Sequence, residues 1–340
     1  MTAQIIIAGS GSFVPDTVIT NEELVRFMGQ KDAKWIEQRL GIKERRFMAP
    51  FDENGFPRWR TDELDMTEKA ARGAMADAEI QAADIDGLHF ISCTPVDNRQ
   101  RLSRMAFDLH VRLGLQASAR VTFADFGCGG VVHGIADIVE LLRGGSRKAI
   151  LIVASNAPSK FFGGRKEAYL NGDAWLPAYI FGDGAGAIVL KKCNSGQKGG
   201  IIGSFTAVDG TQPLMEYTVR AGNSTPVYSI DAHAVSIGYR KYTALALEGL
   251  RQLYPFDLGD VQRFYFHQAN GHLLDQMVDS LRIPHDKVAK HVERYGNTSA
   301  AATLILFNED RRAGTVMEGD LCVFCTIGAG TQYGALLVRV

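Results

Sequence analysis

The sequence predicts an α/β protein made of two similar halves, and three observations support this prediction. Apolar strand-like segments alternate with amphipathic helical segments from end to end, a pattern typical of largely parallel strands covered on both faces. The chain has 340 residues, which suits two domains of about 150 residues each. Two glycine-punctuated segments, "GDGAGAIVL" at 182–190 and "GAGTQYGALLV" at 328–338, are alike and indicate an internal duplication.

The first half, residues 1–192, alternates strands with helices. Apolar and β-branched residues predict the strands "QIIIAGS", "GLHFISC", "RVTFADF", "KAILIVAS" and "GAGAIVL". Helical spacing of apolar residues begins at Asn21, at Met66, near Met105 and after Cys128. These elements predict one sheet with helices on its faces.

The second half, residues 193–340, repeats this order after the glycine-rich hinge "NSGQKGGIIGS". The pattern predicts a helix over about 234–253, the strand "RFYFHQAN", helices from Leu273 and from Ser299, and the strands "DLCVFCTIGAG" and "YGALLVRV". A site between the halves would draw residues from both.

The composition excludes several classes of protein. Hydrophobic residues make up 46% of the chain, charged residues 22%, and the net charge is -1, so a large core is expected and no global charge attracts nucleic acid or a membrane. The amino-terminal segment has no basic region before its short apolar run, and no later run approaches the roughly 18 apolar residues of a membrane span. We expect a soluble cytoplasmic protein without a metal site.

The five cysteines are an odd number and are widely scattered, which argues against a disulfide framework. Cys322 and Cys325 form a C-x-x-C within a strand-like segment. Residues three apart on a strand point to opposite faces, so a metal site or a redox pair does not form readily. We therefore interpret both as buried structural thiols.

Cys128 is a candidate nucleophile. The strand-like "RVTFADF" precedes it, and apolar residues at helical spacing follow until Gly144 and Gly145 end the helix. At a helix amino terminus, the backbone N–H groups and the helix dipole stabilise a thiolate and lower a thiol pKa that is ordinarily about 8.5. The alternative is a core cysteine in a strand-to-helix turn.

Two further residues have side chains suited to assist a thiolate. His267 follows the apolar strand "RFYF", where a loop at the carboxyl end of a strand projects side chains into a crevice. Asn297 lies between Gly296 and the helix-capping pair Thr298 and Ser299. Taken alone, each has a structural alternative, namely a buried structural histidine and a helix cap.

Taken together, these segments resemble the β-ketoacyl-acyl carrier protein synthase III family of thiolase-fold condensing enzymes. The resemblance covers nearly the whole chain and rests on Cys128 with its helix, "HQAN", "YGNTSAA", "KWIEQRLGIKERRF", "IFGDGAGAIVL" and "GAGTQYGALLVR". It implies a five-layered αβαβα fold with two pseudo-symmetric halves, and usually a homodimer. It implies acyl thioesters of coenzyme A or of an acyl carrier protein as substrates, with that carrier protein as a partner and no cofactor.

The resemblance also implies roles for individual residues. Cys128 would take up an acyl group as a thioester, and condensation with a malonyl-type or β-ketoacyl thioester would follow. His267 and Asn297 would complete the triad and hold the enolate oxygen, and the backbone N–H groups of Cys128 and Gly330 would form the oxyanion hole. Two residues match coenzyme A contacts of the family, namely Trp35 and Arg39.

The sequence departs from the family pattern close to the expected site. Bulky or charged residues, Asp125 and Phe126, precede Cys128 where small residues are common. Trp175 and His272 stand where arginine is often found, so we assign Phe126, Trp175 and His272 to the pocket. The arginines Arg99, Arg101 and Arg104 replace a small apolar segment and would either bind a carboxylated substrate or form interface salt bridges. These departures favour a specialised fatty-acid or polyketide-type pathway over acetyl priming.

Three other functions fit the sequence less well than condensation does. A dinucleotide-binding oxidoreductase is disfavoured, because Gly9 and Gly11 are followed by Val14 and Pro15 and not by a third glycine that opens a helix. An acyltransferase to an oxygen, nitrogen or sulfur nucleophile would have less need of Asn297. A non-catalytic subunit of a paired synthase would have no need of a complete triad.

Overall fold

A computed structural model describes residues 4–29, 31–55, 58, 62–94, 104–124, 127–161, 176–193, 199–219, 226–328 and 330–340. The strands are β1 (Gln4–Phe13), β2 (Val18–Thr20), β3 (Glu44–Arg46), β4 (Gly87–Ser92), β5 (Arg120–Ala124), β6 (Ala149–Asn156), β7 (Gly184–Cys193), β8 (Gly200–Val208), β9 (Met215–Val219), β10 (Pro226–Ile230), β11 (Arg263–Phe266), β12 (Leu321–Ile327) and β13 (Gln332–Arg339). The helices are α1 (Asn21–Met28), α2 (Ala33–Leu40), α3 (Glu63–Asp77), α4 (Arg104–Leu113), α5 (Gly130–Gly144), α6 (Leu176–Ile180), α7 (Ala232–Leu253), α8 (Gly271–Leu281), α9 (Val292–Tyr295) and α10 (Ala302–Ala313).

Two large sheets repeat one topology. The first has the strand order β1-β7-β6-β4-β5, and the second has the order β8-β13-β12-β11. In both sheets the first two pairings are antiparallel and the third is parallel. The matching orders and directions confirm the predicted duplication. The exact boundary at residues 192 and 193 stays a prediction.

The elements stack in five layers. α3 and α4 cover the outer face of the first sheet, α5 and α10 lie between the sheets, and α7 and α8 cover the outer face of the second sheet. Both faces of each sheet are therefore removed from water, which explains the continuous apolar runs in the strands. This arrangement is the αβαβα fold that the sequence predicts. Within the described residues, no helix combines the length and the apolar character needed to cross a membrane.

The predicted core of α5 is confirmed. All six apolar residues at helical spacing after Cys128 are buried, namely Val131, Val132, Ile135, Ile138, Val139 and Leu142. They face the core between the two sheets, so the helix is apolar on more than one side. The position of Cys128, just before the amino end of α5, is consequently fixed by both halves of the chain.

Two predictions about the strands were wrong. The sheets are mixed, with three parallel and four antiparallel pairings among their described strands. The glycine-rich segment expected to be a hinge includes the start of β8, which pairs with β13. Gly203 in this strand leaves room for the Tyr254 ring at the end of α7, so the glycine reflects close packing of a helix end against the sheet.

Cys322 and Cys325 lie on opposite faces of β12, as predicted. Cys322 belongs to the core between the sheets, and Cys325 belongs to the core beneath α7 and α8. Burial raises the pKa of Cys322 to about 12 and raises the pKa of Cys325 as well. Both thiols therefore stay protonated and unreactive at neutral pH.

The glycines of the amino-terminal "GSGS" serve helix packing. A Cβ atom at Gly11 would overlap the backbone of α3 at Ala70 and Ala74, and a Cβ atom at Gly9 would overlap Ala74 and Ala78. The two glycines let α3 approach β1 closely, which is consistent with the rejection of a dinucleotide fingerprint.

We expect opposite effects from two glycine substitutions at this contact. Gly11→Ala should lower the free energy of unfolding by about 1–3 kcal/mol, because the new methyl group has no space. Gly73→Ala is the matched control, because its Cβ would lie 3.4 Å from the Gly11 Cα, an ordinary contact. It should raise stability by about 0.5–1 kcal/mol through helix propensity. Urea unfolding of both variants measures these values, and equal effects would contradict the packing argument.

Candidate active site

Cys128 lies in a short turn, Gly127–Gly129, immediately before α5. Gly127 has φ +53°, a left-handed conformation that favours glycine. A Cβ atom at Gly129 would lie 2.8 Å from both the Gln332 side chain and the Gly328 nitrogen. The glycines on either side of the cysteine are therefore required by the turn and by the close approach of the second sheet. Cys128 stands at the amino end of a buried helix, as the sequence predicts.

His267 and Asn297 converge with Cys128 on one cavity. His267 directly follows β11, and its N–H donates to the Cys325 carbonyl oxygen at 2.9 Å, which continues the sheet to the site. The Asn297 N–H donates to the Ile180 carbonyl oxygen at 2.9 Å, and its own carbonyl oxygen accepts from Gly182 at 3.0 Å. Backbone pairing thus fixes both residues, and the structure brings the predicted triad together.

The amide of Asn297 has a defined orientation. Its Oδ1 accepts a hydrogen bond from the Ser299 N–H at 2.8 Å, and only the oxygen of the amide can accept. The Nδ2 group is left with a long 3.5 Å contact to the Ala269 carbonyl oxygen. Asn297 therefore offers an N–H donor to a ligand in the cavity.

The ring of His267 contributes to lowering the pKa of the Cys128 thiol. The hydroxyl of Tyr239 donates to the His267 carbonyl oxygen and helps to hold this segment. Among the described residues, the buried Nδ1 of His267 has no hydrogen-bond partner. Nearby, burial lowers the pKa of His291 to about 3, so a neutral ring lies behind the site.

The pKa of Cys128 lies well below the ordinary value of a thiol. The largest cause is a hydrogen bond with Cys93, and His267 and Ser299 act in the same direction. Burial of the sulfur opposes them, because a buried thiolate loses its hydration. The Ser299 Oγ lies 3.0 Å from the Cys128 Sγ. Hydrogen bonding therefore outweighs desolvation and makes the Cys128 thiol more acidic than an ordinary thiol.

The cavity has about 570 Å³ of space, its open mouth included, and its wall is mainly apolar. Its polar members outside the triad are Tyr239 and Asn270, and its apolar members include Ile180, Phe181, Leu214, Ile230, Val235 and Ile327. An apolar chain can be accommodated beside the sulfur of Cys128. A polar group on that chain would lose its hydration unless it reached one of the polar side chains of the wall.

Four further predicted site residues are described, namely Gly330, Trp35, Arg39 and His272, and none of them is among the residues that line the cavity. The N–H of Gly330 donates to the Gln332 Oε1 at 3.2 Å. Trp35 is half-buried and Arg39 is exposed on α2, and His272 is exposed in the first turn of α8. A Cβ atom at Gly41, which caps α2, would lie 3.0 Å from the Gly271 Cα, so the end of α2 touches the start of α8.

Several predicted residues lie outside the described part of the chain. They are Arg99, Arg101, Asp125, Phe126 and Trp175. Arg104 is described, and it forms an exposed ion pair with Asp108 at 2.8 Å within α4. This pair is a surface salt bridge of the i, i+4 type.

Sequence reasoning missed two residues that touch the nucleophile. Ser299 was interpreted as part of a helix cap, and Cys93 was judged only as one of several scattered thiols. Cys93 directly follows β4, so its place at the carboxyl end of a parallel strand was the available signal. Ser299 had no comparable signal, because its contact with Cys128 joins residues 171 apart.

Known proteins are similar to this chain over its whole length. Residues 124–210 match the family model for 3-oxoacyl-[acyl-carrier-protein] synthase III, and residues 254–340 match the model for its C-terminal part. The β-ketoacyl-[acyl-carrier-protein] synthase III of Rickettsia typhi is 30% identical over 345 residues and covers 100% of both chains.

Solved structures share the fold over the whole chain. The 3-oxoacyl-(acyl carrier protein) synthase III of Pseudomonas aeruginosa has a TM-score of 0.83 and 23% identity, covering 99% of this chain and 98% of its own. The priming β-ketosynthase of the R1128 polyketide pathway has a TM-score of 0.82 and 24% identity, covering 100% of this chain and 97% of its own. Fold and cavity define a thiolase-type condensing enzyme. The chain belongs to the β-ketoacyl-[acyl-carrier-protein] synthase III family.

The lowered pKa of Cys128 predicts a distinct pH dependence of alkylation. Because a thiol reacts as its thiolate, the pH midpoint of iodoacetamide alkylation at Cys128 should lie below the roughly 8.5 of an ordinary thiol, and the rate should fall on acidification through that midpoint. Cys193 is the control, because burial raises its pKa. Peptide mass spectrometry resolves the two sites. A Cys128 rate that still rises steeply above about pH 8.5 would contradict the prediction.

Proposed function

We propose that this chain loads an acyl group on Cys128 and condenses it either with a malonyl-type thioester, which loses carbon dioxide, or with a β-ketoacyl thioester, which loses a proton from its α carbon. The observation that carries the proposal is the convergence of Cys128, His267 and Asn297 on one largely apolar cavity. The low pKa of the Cys128 thiol supports its role as nucleophile.

In the loading step, the Cys128 thiolate attacks the carbonyl carbon of the acyl thioester. A new carbon–sulfur bond forms, and the thiolate of the donor leaves. The carbonyl oxygen gains negative charge, for which the backbone N–H of Cys128 and that of Gly330 are the proposed donors. Because the Gly330 N–H is bonded to Gln332 here, the Gln332 side chain has to release it first.

In the condensation step, the carboxylate of the second thioester leaves as carbon dioxide and its electron pair becomes an enolate. Asn297 Nδ2 and the ring of His267 are placed to donate to the enolate oxygen. The enolate carbon then attacks the acyl carbonyl, and the Cys128 thiolate leaves. Asn297 has a direct role in this scheme, which favours condensation over transfer to an oxygen, nitrogen or sulfur nucleophile.

We propose coenzyme A or carrier-protein thioesters as donors. Trp35, Arg39 and His272 lie on α2 and α8, whose ends meet beside Asn270 of the cavity. An aromatic ring and basic groups suit an adenine and phosphates respectively. We further propose a homodimer, since Phe107 and Val111 expose 50% and 71% of their surfaces one helical turn apart on α4.

The first test is intact-protein mass spectrometry with a panel of acetyl, longer and functionalised acyl thioesters of coenzyme A and of a carrier protein. We expect a mass gain in the wild type that is absent from Cys128→Ala. Preference for longer or functionalised donors would support the specialised pathway, and preference for acetyl would contradict it. Labelling by none of the donors would refute the covalent mechanism and favour a non-catalytic subunit.

Asn297→Asp should separate the two steps. The new side chain keeps an oxygen that accepts the Ser299 N–H but no longer provides an N–H donor. We expect Cys128 to be loaded still, whereas condensation slows by about 100-fold or more. Mass spectrometry reports loading, and release of labelled carbon dioxide from the second thioester reports decarboxylation. Equal losses in both steps would show that Asn297 does not act on the enolate.

A further inference from the structure

A second thiol, Cys93, lies close to the nucleophile and has no role in the proposed reaction. Cys93 Sγ lies 2.8 Å from the Ser299 Oγ, and the same oxygen lies 3.0 Å from the Cys128 Sγ. The Ser299 hydroxyl therefore connects the two sulfur atoms. Cys93 is also the largest cause of the lowered Cys128 pKa.

From this geometry we infer that Cys93 and Ser299 are positioning residues that hold the Cys128 sulfur as a thiolate. The inference rests on the proposed role of Cys128 as nucleophile. A thiolate only accepts, so the Ser299 O–H donates to the Cys128 Sγ, and the single S–H of Cys93 donates to the Ser299 Oγ. The two hydrogen bonds form a chain that ends at the charged sulfur.

The position of Ser299 is strongly constrained. Ser299 has φ +52°, a left-handed conformation that is uncommon for a residue other than glycine. Its N–H is bonded to the Asn297 Oδ1, so the enolate-binding amide and the thiolate-binding hydroxyl belong to one rigid segment. Backbone strain of this kind persists where the surrounding structure enforces it, often at functional sites.

The position of Cys93 is fixed by a buried ion pair. The neighbours of Cys93 in the chain, Ser92 and Thr94, donate to the Glu63 carboxylate at 2.8 Å and 2.9 Å. Lys160 Nζ lies 2.6 Å from the same carboxylate, and the Lys160 and Glu63 side chains are only 7% and 2% exposed. The backbone on both sides of Cys93 is anchored, so the thiol is aimed at Ser299.

The hydrogen bonds of Cys93 and Ser299 act at two stages of the catalytic cycle. The Cys128 sulfur is anionic before loading and becomes anionic again when the condensed product leaves. While the Cys128 sulfur carries the acyl group, it is a weak hydrogen-bond acceptor. The hydrogen bonds from Ser299 and Cys93 therefore stabilise the thiolate more than the thioester. Their loss should therefore slow loading at neutral pH and leave loading at alkaline pH intact.

Substitution of Cys93 tests this inference. We expect Cys93→Ala to raise the pH midpoint of Cys128 alkylation by about one unit, which corresponds to an about tenfold lower rate below the midpoint. Cys93→Ser retains a donor and should restore most of the shift. Cys193→Ala is the matched control, a cysteine removed at the end of β7, and should leave the midpoint unchanged. Thermal unfolding verifies that each variant is folded.

A double-mutant cycle with Ser299→Ala gives the second readout. Because Cys93 acts partly through the Ser299 hydroxyl, the two shifts should be less than additive. An unchanged midpoint in folded Cys93→Ala, or full additivity with no rescue by serine, would overturn the inference. The proposed function fails separately, namely when no acyl thioester adds mass to Cys128, and the alkylation midpoints remain measurable in that case.

Discussion

Backbone pairing between the segment at Ile180–Gly182 and Asn297 is the constraint on which the site depends. The Asn297 N–H donates to Ile180, and the Gly182 N–H donates to Asn297, so the two halves of the chain are joined beside the nucleophile. Only glycine fits at position 182, because a Cβ atom would overlap the Tyr295 carbonyl oxygen. The buried Arg45 guanidinium donates to the Tyr179 carbonyl oxygen at 2.9 Å and secures the same region. Asn297 and Ser299 are thereby placed over Cys128.

Competition between desolvation and hydrogen bonding sets the reactivity of the thiols. Cys322, Cys325 and Cys128 are all buried, yet burial raises the pKa of the first two and the pKa of Cys128 is lowered. The difference lies in the neighbours. β12 surrounds its thiols with apolar side chains, whereas Cys128 meets a thiol, a hydroxyl and an imidazole. One chain thus contains inert and activated cysteines at similar depth.

The fold explains why the reacting groups come from distant segments. Cys128 lies directly before α5, a helix between the two sheets, and His267 directly follows β11 of the second sheet. Each group is held by a rigid element, so the cavity between them is preformed. The two family models match one region in each half of the chain, and each region contains part of this site. The mainly apolar wall of the cavity limits the access of water to Cys128, which would slow the hydrolysis of a thioester formed there.

The sequence by itself determined the fold class, the duplication, the buried face of α5 and the three residues Cys128, His267 and Asn297. Those features follow from local periodicity and from motifs, which neighbouring residues specify. The directions of β7 and β13, the strand β8, and the contacts of Cys93 and Ser299 were decided only by the tertiary structure. The two contacts of Ser299 join residues 206 and 171 positions apart, and no local pattern encodes such a meeting. It arises because two packed sheets bring their strand ends to one place.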